Sequence, residues 1–354
     1  MKYRNVVLFF IVGMLYQQLN AQDPNFSQFY NCPTYYNPAF TGYNDFFCLG
    51  KAWKTEYYNT FRTNYRKFKY DIDDNGFRTA NISYDIGIIP KNMRKENSIG
   101  VGIITLDTKE GFYNTQSVGI SLASGVLFSE DKKLRIGLLV NTIKKSITSL
   151  DLTFSSQLDA VMGKVDPYNR YTASTDIGWF KYYDVSFGSV FTYGLCRNSS
   201  YGEPVNNWIF GLSAHHIYNN ASYTFNNKNE RIPKRYIAQI NYNKSICTGN
   251  KIYKYNRLSL ASAFEHQDKF NTLTIGGNYY TYPVLFGFWA RNIMVDKSDL
   301  SGIIEVGYDL FKPDLHKLLI KCVLDYDFCM SNRRYTYGDS IEFTMIIKYN
   351  YLYE

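Results

Sequence analysis

The chain has no long hydrophobic run beyond its first residues. Lys2 and Arg4 open the sequence, Val6–Leu15 is apolar and Ala21 ends a plausible cleavage site, so residues 1–21 are predicted to be a secretory signal peptide. After it, no stretch approaches the ~20 apolar residues of a spanning helix. Lipid offers no hydrogen-bond partners, so every backbone polar group in the membrane must be paired within the protein. A chain without an apolar helix of this length can therefore span a membrane only as a closed β-barrel.

The motifs of common enzyme classes are missing as well. No G-x-S-x-G, H-E-x-x-H or P-loop occurs, and Gly100-x-Gly102 lacks the third glycine of a nucleotide fingerprint. Glu305 and Asp309 share the polar face of one predicted strand, but nothing supplies a base or nucleophile beside them. We therefore predict no catalytic residues, no cofactor and no enzymatic activity.

Metal-binding patterns are incomplete. Asp71–Gly76 copies the first half of a calcium loop, but Ile82 stands where the bidentate carboxylate is required, and an Asn-Gly turn explains the same residues. His215 and His216 are neighbours in a predicted strand, so one is expected to face the lumen and the other the lipid-facing belt, and they cannot chelate one ion together. We predict no metal site.

Cysteine spacing gives no definite pairing. All six cysteines lie in the exported part, where disulfides are permitted, and their spacings fit no metal motif. Cys32–Cys48 and Cys322–Cys329 are the pairs close enough in sequence for local bridges. Connectivity does not follow from sequence, so both pairs stay open.

Aromatic residues are abundant. Tyr (34), Phe (25) and Trp (4) make up 18% of the chain. Tyr and Trp are enriched where a membrane meets water, because one end of each side chain is apolar and the other is polar. The net charge of +8 fits a basic lumen or basic loops near anionic lipid better than nucleic acid, which is a poor partner for an exported chain. We expect outer-membrane lipid, and no nucleic acid, around this protein.

Two-residue alternation recurs along the chain and predicts strands. In 301–310, Ile304, Val306 and Tyr308 fall on one face while Glu305 and Asp309 fall on the other. These segments run to about ten residues, which suits a tilted strand crossing a bilayer better than the strands of about five or six residues in a soluble sandwich. Small residues on the second face would leave lumen space.

Fifteen runs carry this pattern. They are Phe46–Trp53, Phe77–Ile88, Ser98–Leu106, Ser117–Phe128, Leu134–Ile143, Thr172–Phe180, Asp184–Cys196, Trp208–His216, Arg235–Asn243, Arg257–Phe264, Thr272–Tyr280, Leu285–Arg291, Ser301–Leu310, Lys317–Tyr326 and Ile341–Asn350. Bacterial barrels have even strand numbers, so we predict an all-β, transmembrane antiparallel barrel of about fourteen strands over residues 46–354. Short turns are expected at Ser129–Lys132 and Lys181–Asp184, and longer loops at Lys144–Tyr171 and Arg197–Asn207.

The N-terminal residues 22–45 cannot form a wall strand. They are polar and aromatic, and prolines interrupt them. We expect this segment to lie in the periplasm or to plug the lumen, where it either seals the barrel or binds a partner. The plug or partner-binding candidates are Phe26, Phe29, Tyr35, Tyr36, Asn37, Pro38 and Phe40.

Two blocks in this segment carry a family resemblance. Gln22–Tyr30 reads QDPNFSQFY and Tyr35–Gly42 reads YYNPAFTG. Together they resemble the mature N-terminus of the PorP/SprF family, outer-membrane proteins of the type IX secretion system in Bacteroidetes, with its approximate pattern Q-D-P-x-F-S-Q-Y and N-P-A-Y-x-G. Phe288–Asn292, Gly307–Asp309 and Gly338–Glu342 are similar to later strands of the family, so the resemblance spans nearly the whole mature chain.

The resemblance implies a function as well as a fold. It implies an integral outer-membrane barrel that works with type IX secretion components and secreted cargo, supplies no catalytic residues, and assists export or surface attachment of large cargo such as gliding adhesins. A passive, porin-like channel is the alternative, motivated by the small residues on the lumen face. A secreted soluble β-adhesin is a third interpretation.

Overall fold

The computed structural model describes residues 23–43, 55–68, 77–88, 98–111, 113–129, 131–148, 176–194, 206–219, 223–225, 228–230, 232–247, 255–294, 298–310, 318–330 and 339–352. Within these ranges the chain forms strands and two short helical turns. None of these helical turns is long and apolar enough to cross a membrane.

Fourteen strands form a single closed barrel. They are β1 (Thr55–Phe68), β2 (Arg78–Ile88), β3 (Ser98–Glu110), β4 (Tyr113–Ser129), β5 (Lys132–Thr148), β6 (Asp176–Tyr193), β7 (Asn206–Asn219), β10 (Arg235–Cys247), β11 (Tyr255–Gln267), β12 (Phe270–Thr281), β13 (Val284–Met294), β14 (Ser298–Asp309), β15 (Leu318–Cys329) and β16 (Ser340–Leu352). β8 (Tyr223–Phe225) and β9 (Lys228–Glu230) form a separate two-stranded sheet.

Antiparallel pairing runs round the whole barrel. Each wall strand pairs with its neighbours in chain order, and β1 pairs with β16 from Thr55 opposite Leu352 to Phe68 opposite Ser340. Closure leaves the barrel without an edge strand. The expected fold, an antiparallel barrel of about fourteen strands, is confirmed. We call the end where β1 begins and β16 ends the lower end, and the opposite end the upper end.

The outer surface is apolar because every second side chain of a strand points outward. In β4, Ile120 is 58% exposed and Leu122 is 50% exposed, whereas Ser121 between them is buried. In β14, Ile304 and Val306 are exposed and Glu305 is buried. The outward-facing bulky residues match the lipid-facing band of membrane barrels.

The strand count was reached with two compensating errors. Thr172–Phe180 and Asp184–Cys196 were expected as separate strands, but the described parts of both belong to one strand, β6. The turn expected at Lys181–Asp184 is wrong, because these residues lie inside β6 and pair with β5. Conversely, β1 was not expected, and the run Phe46–Trp53 lies outside the described residues.

The expected connections are partly correct. The turn at Ser129–Lys132 is confirmed, since β4 ends at Ser129 and β5 begins at Lys132. The loop expected from Lys144 begins too early, because β5 continues to Thr148. The loop expected up to Asn207 ends too late, because β7 begins at Asn206, and the remainder of both loops lies outside the described residues.

A local bridge between Cys322 and Cys329 is excluded. The two residues lie seven positions apart in β15, so their Cα atoms are separated by roughly 23 Å at ~3.3 Å per residue, whereas a disulfide requires about 4.4–6.8 Å. Cys32 is buried and not disulfide-bonded, and Cys48 lies outside the described residues.

Candidate functional site

Residues Asp23–Tyr43, the N-terminal segment, lie inside the barrel. At the segment's start, the Asp23 main-chain N–H donates to Gln267 Oε1 (3.0 Å) at the upper end of β11. At its end, the Tyr43 hydroxyl lies 3.1 Å from Thr192 Oγ1 at the lower end of β6. The segment therefore runs down the lumen from the upper end to the lower end.

Proline and asparagine set the irregular shape of the segment. Pro33 begins a four-residue helix, α1 (Pro33–Tyr36), and Pro38 begins a 3-10 helix (Pro38–Phe40). The fixed φ of proline suits the first position of a helix. Asn37 caps the second turn, since its side-chain oxygen accepts from the Ala39 N–H at 3.0 Å. These turns keep the segment out of the wall.

Three lumenal glycines form a floor under the lower part of the segment. Gly100, Gly137 and Gly188 lie on β3, β5 and β6, and we call them the glycine floor. A Cβ atom on Gly100 would overlap the Thr41 carbonyl, and one on Gly137 would overlap the main chain at Pro38 and Ala39. The small residues expected to leave lumen space instead admit the segment's main chain.

Asn37 is the most completely held side chain above this floor. It is fully buried, and its amide nitrogen donates to the main-chain carbonyls of Ser189 (3.0 Å) and Leu212 (3.2 Å). A Cβ atom on Gly188 would overlap the Asn37 side-chain oxygen. The side chain thus bridges β6 and β7 by hydrogen bonds to one main-chain carbonyl of each strand.

Arg135 binds the main chain of the lower part. Its Nε donates to the Ala39 carbonyl (3.0 Å) and its Nη2 to the Thr41 carbonyl (2.6 Å). The Gly42 N–H donates to Asp85 Oδ2 at 3.0 Å, and the Ser213 hydroxyl donates to the Tyr36 carbonyl at 2.6 Å. Wall side chains therefore satisfy main-chain groups that would otherwise be buried without partners.

Aromatic residues fill the middle of the lumen. A buried cluster joins the segment to four wall strands through Phe26, Phe29, Cys32, Tyr36, Ile237, Ala261, Ala263, Trp289 and Ile303. The Phe29 and Trp289 ring centroids are 6.0 Å apart in an edge-to-face arrangement. Cys32 and Tyr36 are both buried in this cluster.

Two arginines hold the upper part of the segment by its carbonyls. Arg66 donates to the Asn25 carbonyl, and Arg291 donates to the Phe26 carbonyl at 2.6 Å. Both guanidinium groups also lie 2.9 Å from Asp327 Oδ2. One carboxylate therefore orients two cations toward the segment.

Three neighbouring carboxyls form a row beside Ser27 and Gln28. Glu305 lies opposite Asp325, and Asp325 lies opposite Glu342, on β14, β15 and β16. Glu342 accepts from the Ser27 N–H, and Asp325 accepts from the Gln28 amide. All three carboxyls are buried, and within the described part of the chain each keeps one oxygen without a hydrogen-bond partner. We call Glu305, Asp325 and Glu342 the carboxyl row.

The expected opposite orientation of His215 and His216 is wrong. A bulge interrupts β6–β7 pairing, and His216 adopts a positive φ of 58°, so both imidazoles face the lumen. His215 Nε2 lies 3.0 Å from the Tyr36 carbonyl. His216 Nδ1 lies 3.0 Å from Asp184 and Nε2 lies 2.6 Å from Asp23. Because ionised carboxylates only accept hydrogen bonds, both contacts are hydrogen bonds only when both ring nitrogens of His216 are protonated.

Asp23 is the charged end of the segment. Burial alone would raise its pKa, but the adjacent His216 and Arg235 outweigh that effect and hold the pKa of Asp23 well below its usual value. Arg235 also donates to Asn25 Oδ1 (3.0 Å) and to the Tyr35 hydroxyl (3.1 Å). A cavity of about 80 Å³ remains between this end of the segment and the wall.

The structure places the seven candidate residues together in the lumen. Phe26, Phe29, Tyr36, Asn37, Pro38 and Phe40 are buried, and Tyr35 is half-buried. Their partners on the wall were not foreseen, although Arg66, Arg135 and Arg291 in otherwise alternating strands were a usable signal, because charge pointing inward needs a partner.

The acidic residues and the calcium-loop motif noted in the sequence can now be placed in the structure. Glu305 belongs to the carboxyl row, and Asp309 accepts from the Tyr280 hydroxyl at 2.6 Å and lies 3.7 Å from Lys321 Nζ. No group of three or more His, Cys, Asp or Glu side chains that could hold a metal ion occurs among the described residues. The half calcium loop Asp71–Gly76 falls outside them.

Two solved bacterial structures are similar to this chain at low sequence identity. A FadL homologue from Pseudomonas aeruginosa has 9% identity and a TM-score of 0.45, with 89% of this chain and 93% of that chain covered. The toluene transporter TbuX from Ralstonia pickettii has 10% identity and a TM-score of 0.48, with 92% and 94% covered. A search of curated protein sequences found no match.

A family model covers nearly the whole chain. The model, described as type IX secretion system membrane protein PorP/SprF, matches residues 18–345. The resemblance seen in the N-terminal blocks is thereby confirmed. With its closed barrel and apolar exterior, the protein is integral to the bacterial outer membrane. The chain belongs to the PorP/SprF family of type IX secretion system membrane proteins.

Proposed function

We propose that this barrel assists the export or surface attachment of large cargo such as adhesins, without catalysing a reaction, and that its N-terminal segment closes the lumen. The family supports a place in the secretion machinery. The single observation that supports closure is the position of the segment, which contacts wall strands from the upper end to the lower end.

The contacts supporting closure are extensive. Phe26, Phe29 and Tyr36 are each at most 3% exposed, and burying an aromatic or large aliphatic side chain contributes about 1.5–3 kcal/mol. Lumenal Gly137 lets the main chain at Pro38 and Ala39 lie directly against the wall. These contacts favour a barrel that the segment keeps closed. A partner would then act on the segment at one of the two ends of the lumen.

The passive-channel alternative requires a continuous aqueous path. Conductance in planar bilayers separates the two functions, since the purified protein should show no steady open pore if the segment closes it. The variant Asn37→Ala, which loses hydrogen bonds to two wall carbonyls, should show openings that wild type lacks. A steady pore in wild type with the same conductance as Asn37→Ala would support the channel.

The secretion role is tested in cells. Deleting the gene should abolish or reduce export and surface attachment of large cargo, and the wild-type gene should restore both. Unchanged export, attachment and gliding in the deletion strain would contradict the proposed role in secretion. Cargo or machinery that co-purifies with wild type through stringent washing would identify the partner.

A further inference from the structure

We propose that the lumen wall is a peptide-binding site that also accepts, from a separate polypeptide, a segment of the kind that residues 23–43 supply. This inference rests on the proposed function, in which the segment closes the lumen, and adds the class of ligand. That class is an irregular peptide with aromatic residues followed by an Asn-Pro-small turn, as in Phe26 to Ala39.

The wall recognises the main chain of its occupant. In the stretches Asp23–Ser27 and Tyr36–Gly42, wall side chains bond to main-chain atoms of the segment. The pairs are Gln267 with Asp23 N, Arg66 with Asn25 O, Arg291 with Phe26 O, Glu342 with Ser27 N, Ser213 and His215 with Tyr36 O, Arg135 with Ala39 O and Thr41 O, and Asp85 with Gly42 N. Main-chain groups are common to all peptides, so these bonds give affinity for a peptide as such.

Two places supply selectivity. At the glycine floor, Asn37 reaches two strand carbonyls, and there is no room on the wall for a Cβ atom. At Trp289, the rings of Phe29 and Tyr30 pack at centroid distances of 6.0 and 4.9 Å. A competing peptide therefore needs an aromatic pair and an amide at the matching spacing.

The segment's advantage over a competitor is its tether. It continues into β1 through residues 44–54, so it acts at the high effective concentration, on the order of mM, of a short linked module. Cutting this connection after folding would turn the segment into a separate peptide without removing any contact described above. The wall could then be tested with a peptide added from outside.

The experiment uses the full chain with a protease site inserted between Gly50 and Lys51. The protein is purified in detergent and cut, and a fluorescent synthetic peptide of residues 23–43 is added. Its anisotropy should rise with the cut protein and stay low with the uncut protein, whose tethered segment excludes it. Unlabelled native peptide should compete, the Asn37→Ala peptide should compete roughly tenfold or more less well, and a scrambled peptide should not compete.

Three results would overturn the inference. They are a cut barrel that keeps its β-sheet circular dichroism but never takes up the peptide, a cut segment that never exchanges, and equal competition by the scrambled peptide. If exchange occurs, light scattering of concentrated uncut protein tests a second copy as the donor: monomers support a different polypeptide, and dimers would overturn it in favour of a second copy. If the wild-type barrel conducts ions and the cut barrel still exchanges peptide, the proposed closure of the lumen is contradicted but the peptide-binding site is not.

Discussion

The upper and lower parts of the N-terminal segment are held by different interactions. The lower part, Asn37–Gly42, lies on the glycine floor and is bound through its carbonyls by Arg135. The upper part, Asp23–Gln28, lies among ionisable side chains, with the carboxyl row on one side and His216 on another. Close packing and a single arginine hold the lower part, whereas several ionisable groups surround the upper part.

This difference separates a fixed anchor from an adjustable one. Close packing against backbone atoms does not change with pH, and Arg135 stays protonated over the whole accessible pH range. The carboxyls of the carboxyl row repel one another when they are ionised, so their hydrogen bonds to Ser27 and Gln28 depend on protonation. We expect perturbations of the lower part to be the most damaging and those of the upper part to be milder and dependent on pH.

The largest effect is expected from Arg135→Met. The change removes a charged donor from two buried carbonyls, Ala39 and Thr41, and should cost about 3 kcal/mol or more of segment docking. Protease cleavage of the segment in the detergent-purified protein measures that loss. Arg135→Lys keeps the charge but cannot reach both carbonyls, so it should be intermediate. Equal protease protection in wild type and both variants would show that Arg135 does not hold the segment.

A smaller effect is expected from Gly137→Ala. The new methyl group would overlap Pro38 and Ala39, and overpacking of this kind costs about 1–3 kcal/mol. Gly307→Ala is the matched control, because the nearest atoms there belong to side chains at 3.2 Å or more. Thermal unfolding midpoints should fall for the first variant and stay near wild type for the second. The same shift in both would mean that the glycine floor is not specific.

In the upper part, the two replacements of Glu342 should differ. Glu342→Gln keeps an acceptor for the Ser27 N–H and removes a charge from the carboxyl row, so docking should equal or exceed wild type. Glu342→Ala leaves that N–H buried without its partner and should cost about 1–2 kcal/mol. Protease protection of the segment compares the two variants. A loss as large in Gln as in Ala would show that the charge itself is required.

The smallest effect concerns Asp23 and pH. Its pKa is lower in the folded protein than the value of about 3.9 in an unfolded chain, so the stabilisation is complete well above pH 4 and is lost as pH falls below that value. Asp23→Asn should lower stability by less than about 1 kcal/mol at neutral pH, because the side chain is partly exposed. The difference between the unfolding midpoints of wild type and Asp23→Asn should narrow as the pH is lowered from 7 to 3. Parallel curves would contradict the contribution of this ion pair.

The wall faces followed from the sequence because alternation is a local property. Ile304 and Glu305 fall on opposite faces wherever their strand lies, and the structure agrees. β1 escaped detection because Thr63 and Lys67 interrupt the apolar residues on its outward face. Its inward Arg62 and Arg66 pair with Asp85 and Asp327, which are distant in sequence. Long-range ion pairs of this kind leave no local signal.

Two features of the site were also beyond local reasoning. An inward glycine is compatible with either empty or filled space, and only the path of the segment decides that Gly137 meets Ala39. The bulge that turns His216 inward depends on pairing between β6 and β7, which face patterns along one strand cannot reveal. The seven candidates in the segment were found because the prolines marked it as different from the wall.

The direction of the segment has a consequence for the two termini. Asp23 lies at the upper end, together with the longest connection between barrel strands, from Thr148 to Asp176, whereas Leu352 lies at the lower end. In membrane barrels the longer loops face the outside of the cell. An epitope joined directly before Asp23 should therefore be stained by antibody on intact cells, while one joined after Glu354 should be stained only after the outer membrane is permeabilised.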